Sequence, residues 1–380
     1  MDLSLTIISN AKSVKETTMA NGLDDVVAAE TVLSDVDGLG GRLIIRGQSL
    51  QELAGRWSYS QVVRLLLDGF FEDLQGDGQL ADAIGQARVE VFEQIEPVLP
   101  YLASLDIYSG MRAGVALMPD GDGLIDALRL IAAPAVLTPA LLRLRRGESS
   151  IAPEVKADHA ADMLRMLTGI PASPTPARAL DAYLVTVCDH GLNASTFATR
   201  VVASTQAGLT SSVLAGLGAL KGPLHGGAPG PVIEMLDAIE ASGDAAGWLR
   251  AEIARGGRIM GFGHRIYRVR DPRADVLKAV VRQLGSEDGV GRRLAFAEKV
   301  EQAALEVLRV AKPSRSLQTN VEFYTALLLE AAGFPKEAFT NVFAAGRVAG
   351  WIAHAREQQT TGRLIRPQSR YIGPMPELVA

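Results

Sequence analysis

Tyr59-Ser60-Gln61-Val62-Val63-Arg64-Leu65-Leu66-Leu67-Asp68 places Val62, Val63, Leu66 and Leu67 on one face at a period of 3.6 residues. That is the pattern of an amphipathic helix, and it continues through most of the chain. Upstream, Ser49-Leu50-Gln51-Glu52 is a capping box that starts a helix. Downstream, helices are predicted over 80–95, 123–144, 156–168, 176–190, 194–219, 229–240, 246–255, 275–284, 291–310, 320–332 and 340–358. Gly69, Gly147, Pro171-Ala172-Ser173-Pro174 and Gly333-Phe334-Pro335 carry the stop signals. Two short β-like runs, Thr31-Val32-Leu33 and Arg42-Leu43-Ile44-Ile45, flank Asp37-Gly38-Leu39-Gly40-Gly41 and read as one hairpin. Residues 1 to about 22 are polar and aperiodic, an arm or intersubunit strap. The fold class is therefore all-α with a short N-terminal β-hairpin.

Composition narrows the function. With 380 residues, 48% hydrophobic and 21% charged, the chain can bury a large core in two domains or one. A net charge of −5 gives no diffuse basic surface for nucleic acid, so the cations for an anionic substrate must be clustered locally. The single cysteine, Cys188, excludes an internal disulfide. It follows the apolar run Tyr183-Leu184-Val185-Thr186-Val187 and reads as a buried, inert thiol rather than a nucleophile. No signal-peptide pattern is present at the N-terminus, and 128–144 is interrupted by Pro134, Pro139 and Arg143, so no membrane span is expected. A cytoplasmic location is expected.

Three of the five histidines sit in polar or glycine-rich settings: His190 in Cys188-Asp189-His190-Gly191-Leu192-Asn193, His225 in Gly222-Pro223-Leu224-His225-Gly226-Gly227, and His264 in Gly261-Phe262-Gly263-His264-Arg265. Glycine neighbours let a ligand approach the backbone, and imidazoles there can exchange protons near neutral pH. The histidines stand 35 and 39 residues apart, so no metal-ligand pair at helical spacing is formed. Gly261-Phe262-Gly263 lacks the third glycine of a dinucleotide loop, and no Gly-x-Ser-x-Gly elbow occurs. Arg273, Arg347 and Arg366 stand out among the cations. Arg347 lies in Ala344-Ala345-Gly346-Arg347-Val348-Ala349-Gly350, where small neighbours leave its fork for a carboxylate ligand; an ordinary salt bridge is the alternative. Glu322, in Thr319-Asn320-Val321-Glu322, fits a capping box, and at a helix N-terminus its carboxylate is expected to stay ionised and serve as a base.

Taken together, these blocks resemble the citrate synthase family over residues 22–373. The carrying motifs are Asp189-His190-Gly191-Leu192-Asn193-Ala194-Ser195, Gly222-Pro223-Leu224-His225-Gly226-Gly227-Ala228, Gly261-Phe262-Gly263-His264-Arg265 through Asp271-Pro272-Arg273, Asn320-Val321-Glu322-Phe323-Tyr324, and Arg366-Pro367. The resemblance implies a two-domain helical fold, with a large domain from 1–224 and 328–380 and a small domain from 225–327. It implies a homodimer that condenses acetyl-CoA with oxaloacetate, a step of the tricarboxylic acid cycle, without metal or other cofactor. His225 would hydrogen-bond the thioester oxygen, Glu322 would remove the methyl proton, and His264 would protonate the ketone. His190, Arg273 and Arg347 would bind oxaloacetate, with Arg366 supplied by the other subunit. Arg268 and Arg315 are candidates for the CoA phosphate.

Three positions depart from the family pattern. Glu322 stands where Asp is usual, Gly191 where Glu is common, and Ala228-Pro229 where Ala-Asn is common. An extra methylene shifts the base by roughly 1 Å, a displacement that can cost on the order of 100-fold in rate. Rival readings are therefore 2-methylcitrate synthesis from propionyl-CoA and a non-catalytic paralogue that binds oxaloacetate or CoA.

Overall fold

A computed structural model describes residues 23, 26–226, 229–285 and 289–376, and the expected N-terminal arm lies outside them. Residues from Thr31 onward form one compact unit, which holds everything described below. The hairpin is present as β1 (Ser34–Asp37) and β2 (Arg42–Ile45), extended by β3 (Gln48–Ser49) into an antiparallel sheet of order β1-β2-β3. Its first strand begins three residues later than the apolar run suggested. Leu33 is buried in the core, whereas Ser34–Asp37 pairs with Arg42–Ile45.

The remainder is helical: α1 (Leu50–Leu53), α2 (Tyr59–Leu67), α3 (Asp77–Ile95), α4 (Leu99–Ser104), α5 (Ile107–Val115), α6 (Leu124–Arg145), α7 (His159–Thr168), α8 (Pro174–Val187), α9 (Ala194–Ala203), α10 (Leu209–Leu220), α11 (Pro229–Ser242), α12 (Ala245–Ala254), α13 (Pro272–Leu284), α14 (Val290–Ala311), α15 (Val321–Ala331) and α16 (Phe339–Thr361). The capping box at Ser49 and Glu52 forms as the sequence predicted, and Ser58 with Gln61 makes a second. Val62, Val63, Leu66 and Leu67 are all buried.

Three differences from the sequence expectation have physical causes, and α6 forms where a helix was expected. The helix expected over 194–219 is two helices, because Gln206 and Gly208 take positive φ and Leu209 donates its N–H to Gly121 O. Helices α4 and α5 were not foreseen. They are short, and α4 carries Pro100 in its first turn. Helix α6 runs through Pro134 and Pro139 unbroken. By length and composition it could cross a membrane, yet most of its apolar stretch is buried inside the protein. Thr138 Oγ1 donates to Pro134 O at 2.7 Å along that helix. Finally, α15 begins at Val321 with Asn320 as its N-cap, so Thr319 and Glu322 form no capping box.

Helix α6 packs against α3, α5, α7 and α16, and α16 in turn covers α8, α9 and α10. The close approach of α16 to α8 needs glycine. A methyl at Gly346 would meet Leu184 O at 2.9 Å, and one at Gly350 would overlap Cys188 O. The small residues around Arg347 thus serve helix packing first. They bring the end of α8 and the loop bearing His190 against the arginine.

Candidate active site

Short backbone ties assemble the site. Phe262 forms a β-bridge with Thr319, Gly263 N–H donates to Gln318 O at 2.7 Å, and Asn320 N–H donates to Gly261 O at 3.0 Å. This pairing sets the His264 loop beside the start of α15, where Glu322 sits. Gly261 and Gly263 have φ of 81° and 85°, and a methyl at Gly261 would meet Phe323 Cβ at 2.9 Å, so glycine is required there for both reasons. The hairpin joins the loops from the other side. Arg268 N–H donates to Gly38 O at 2.8 Å, and Gly191 N–H donates to Ser34 Oγ at 3.0 Å. Gly191 has φ of 59°, a conformation costly for the Glu common at this position.

Asp271 is the keystone of the cationic part. Its Oδ1 caps α13 by accepting from Arg273 N–H, and its carboxylate takes Nε and Nη2 of Arg273 at 3.0 and 2.8 Å. Its Oδ2 also accepts from Val321 N–H at 3.2 Å, which ties α13 to α15. Despite desolvation, the paired Asp271 holds the Arg273 guanidinium above its ordinary pKa.

His264 Nδ1 accepts from the backbone N–H groups of Ile266 and Tyr267, both at 3.0 Å. The proton of the neutral ring therefore resides on Nε2, which lies 3.2 Å from Arg273 Nη2. Both groups are donors, and together they suit an anionic or carbonyl oxygen. Tyr267 packs on the His264 ring at 4.8 Å between centroids, and its hydroxyl lies 3.2 Å from His190 Nε2. The rings of His190 and His264 are 5.6 Å apart, edge to face.

His225 Nε2 lies 2.7 Å from Ser195 Oγ, which is 2.8 Å from Asn193 Oδ1 and accepts from Trp351 Nε1 at 3.2 Å. Phe343 stands edge-on to His225 at 6.5 Å and lies under the Arg347 guanidinium at 4.8 Å. All three histidines are held neutral. Burial and then the arginines lower His225 to about 4, burial and Arg273 lower His264 to about 4, and burial, Arg273 and His264 hold His190 well below its ordinary value.

Arg347 is 1% exposed. Its Nε donates to Val187 O at 2.6 Å, and no acid among the described residues forms an ion pair with it. Burial lowers its pKa to about 10, with Asp189 opposing and Arg273 reinforcing the shift. Asp189 is itself held by His354 Nε2 at 3.2 Å, and His354 by Arg200 at 2.9 Å.

Glu322 corrects an expectation. Its carboxyl is not depressed by the helix terminus; burial raises it above 4.5, with Arg273 opposing. Its Oε2 is buried and without a hydrogen bond. Cys188 is buried, and burial pushes its thiol up, as an inert cysteine requires. Arg268, Arg315 and Arg366 are exposed, and Arg366 lies after α16 in residues without helix or strand. Among the described residues no group of three or more His, Cys, Asp and Glu side chains could hold a metal ion. The sequence reading did not single out Ser195, Tyr267, Asp271, Phe343 or Trp351. Only Asp271 carried a local signal, an Asp directly before Pro at a helix start.

This constellation can be compared with known proteins. A family profile described as "Citrate synthase, C-terminal domain" matches residues 22–368. The chain belongs to the citrate synthase family. It is an enzyme of that family's acyl-transferring type, on an all-α fold. Its sequence is 37% identical over 370 residues to a putative citrate synthase 2 of Mycobacterium tuberculosis, covering 93% of each chain. It is 36% identical over 373 residues to the citrate synthase of Haloferax volcanii, covering 93% of this chain and 96% of that one. Among solved structures, the citrate synthase of Pyrobaculum aerophilum superposes with a TM-score of 0.83 at 31% identity, covering 99% and 98% of the two chains. The Thermoplasma acidophilum citrate synthase, in ternary complex with carboxymethyl coenzyme A and oxaloacetate, gives 0.82 at 28% identity, covering 93% and 96%.

Proposed function

We propose that the chain condenses acetyl-CoA with oxaloacetate to give citrate and CoA, with the residues above in distinct roles. The carrying observation is Arg347, a buried guanidinium with a backbone bond and no ion-pair partner among the described residues, whose charge acts on His190 and His225. Such a group is stabilised by an anionic ligand. Oxaloacetate offers two carboxylates, for which Arg273, Arg347 and, from a second copy, Arg366 are the cations. His190 and the Nε2–H of His264 then face its ketone.

Enolisation needs a base and a donor acting together. Glu322 removes the methyl proton; its raised pKa makes it a stronger base than an exposed glutamate. Asn193 Oδ1 already accepts from the backbone N–H groups of Ser195 and Thr196. In the structure the Ser195 hydroxyl also donates to Asn193 Oδ1; turned instead to His225 Nε2, 2.7 Å away, its proton leaves the neutral ring presenting Nδ1–H to the thioester oxygen. The enol carbon bonds to the ketone carbon, His264 supplies a proton to the new alkoxide, and water cleaves the thioester of citryl-CoA. Residues 225–327 act as the small domain that closes on 1–224 and 328–380 and excludes water until condensation is complete. Arg268 and Arg315 contact the CoA phosphate. The site needs no metal or other cofactor.

The working unit is a homodimer in the cytoplasm. Supporting the dimer, the described residues after α16 lack helix and strand and expose Leu364, Tyr371, Ile372 and Met375, apolar side chains suited to a partner subunit. The glutamate at 322 keeps a second acyl group in play. One methyl is worth only about 1–3 kcal/mol in a pocket, so propionyl-CoA, giving 2-methylcitrate, is the rival substrate.

The test is thiol release from acetyl-CoA and from propionyl-CoA with oxaloacetate, for wild type and Glu322→Asp. Faster acetyl-CoA turnover by wild type is the expected result. Faster propionyl-CoA turnover would reassign the enzyme to 2-methylcitrate. Ligand binding with no turnover by either protein would leave a non-catalytic binder.

A further inference from the structure

Two buried oxygens without hydrogen bonds belong to neighbouring helices at the site. One is Glu322 Oε2, in the first turn of α15. The other is the hydroxyl of Tyr183, a fully buried residue on α8. Helix α8 packs directly on α15. The Thr325 side chain is a hydrogen-bonding neighbour of the Tyr183 hydroxyl, too distant for a full bond; Thr325 is three residues beyond Glu322 on the same helical face, and Tyr183 lies within range of the Glu322 charge. Both oxygens are shielded from bulk solvent. The two arginines whose charges act on Tyr183, Arg347 and Arg273, are donors only and cannot take its proton.

We infer that Tyr183 is a positioning residue for the base, its hydroxyl donating a hydrogen bond to Glu322 Oε2 when the site is at work. The inference rests on the proposed role of Glu322. It supplies a reason for glutamate where the family has aspartate. The longer side chain has one more torsion and can swing Oε2 toward α8, whereas an aspartate at 322 falls one carbon–carbon bond short. A donor on Oε2 stabilises the ionised carboxylate against its burial and leaves Oε1 for the substrate proton. Burial keeps the phenol protonated, so it donates at every working pH. Tyr183 does not touch the substrate in this arrangement; it acts through Glu322.

The experiment titrates Glu322 by carbon-13 NMR in protein labelled at the glutamate δ-carbon, the signal being assigned by its loss in Glu322→Gln. In Tyr183→Phe the titration midpoint of Glu322 is expected to rise by about one unit, and the acid limb of kcat/KM to rise with it. In a Glu322→Asp background the same tyrosine replacement is expected to leave the acid limb where it was. A purely structural tyrosine would lower the melting temperature in both backgrounds and move neither titration. An unchanged Glu322 midpoint in Tyr183→Phe overturns the inference. Should that variant not fold, 3-fluorotyrosine at 183, a better donor, is expected to lower the midpoint, and no change there is equally fatal. A wild type that binds substrates without turnover would overturn the role of Glu322 as base, while the NMR titration would still decide the hydrogen bond.

Discussion

At the scale of single residues, the site is a set of unmatched charges and donors. Arg347 contributes a buried cation with no ion-pair partner among the described residues, Asp189 acting on it only at longer range, so its worth depends on the ligand. Arg347→Leu is expected to weaken oxaloacetate binding about 30-fold or more, by the loss of charge-assisted bonds. The unliganded variant should melt no lower than wild type, because a desolvated charge has been removed. Isothermal titration and thermal melts check both, and unchanged affinity would remove Arg347 from the clamp. His264→Ala should abolish condensation, read as thiol release. Near-normal turnover would take that histidine out of the mechanism. The pH dependence follows from Glu322. As a base it works ionised, and its pKa is raised above 4.5, so kcat/KM should fall as pH drops through that raised value. His225 and His264, at about 4, are already neutral in that range and add no limb above it. A rate–pH profile with a single acid limb above 4.5 is the expected result.

Elements set these residues to fractions of an ångström, and they do so mostly through backbone. The pairing of 261–263 with 318–320 couples His264 to Glu322, and Asp271 couples the start of α13 to the start of α15. The contact of α16 on α8 is the least forgiving of these joints. Gly350→Ala would press a methyl into Cys188 O and toward Asp189, and backbone cannot step aside as a side-chain end can. Overpacking of this kind costs about 1–3 kcal/mol. The variant should therefore melt several degrees lower and bind oxaloacetate more weakly, since Arg347 rides on the same helix. A melting curve and a binding titration report the two effects. An unaltered oxaloacetate affinity would show that α16 can shift without moving the arginine.

At the scale of the whole molecule, the open question of design is the exposed Arg366. The segment that carries it leaves α16 with apolar side chains facing outward and, among its described residues, no helix or strand. Co-expression of Arg366→Ala with His225→Ala offers a direct test of the proposed dimer. Each variant alone should be nearly inactive. Hybrid dimers should recover up to about half of the wild-type rate, because one of their two sites combines an intact His225 with an intact Arg366. No recovery, with hybrids confirmed by differential tagging, would place Arg366 in the site of its own chain or outside the site altogether.

Much of this protein was determined by sequence alone. The period of 3.6 residues set the helices, Ser49 and Glu52 set a cap, and glycines flanked the histidines because close backbone approach and positive φ leave no room for a side chain. Those signals are local, and local chemistry can be read locally. The tertiary structure decided what depends on distant chain segments meeting. It divided 194–219 into two helices through contacts with 120–121. It turned the glycines beside Arg347 from open space into a helix contact. It raised Glu322, where the helix terminus alone would have lowered it, because desolvation by the surrounding fold outweighs a partial charge at one helix end. It also set Ser195 beside His225 and Tyr267 beside His190. No spacing rule announces such pairs, since hydrogen bonds between residues 30 and 77 positions apart exist only once the helices that carry them have packed.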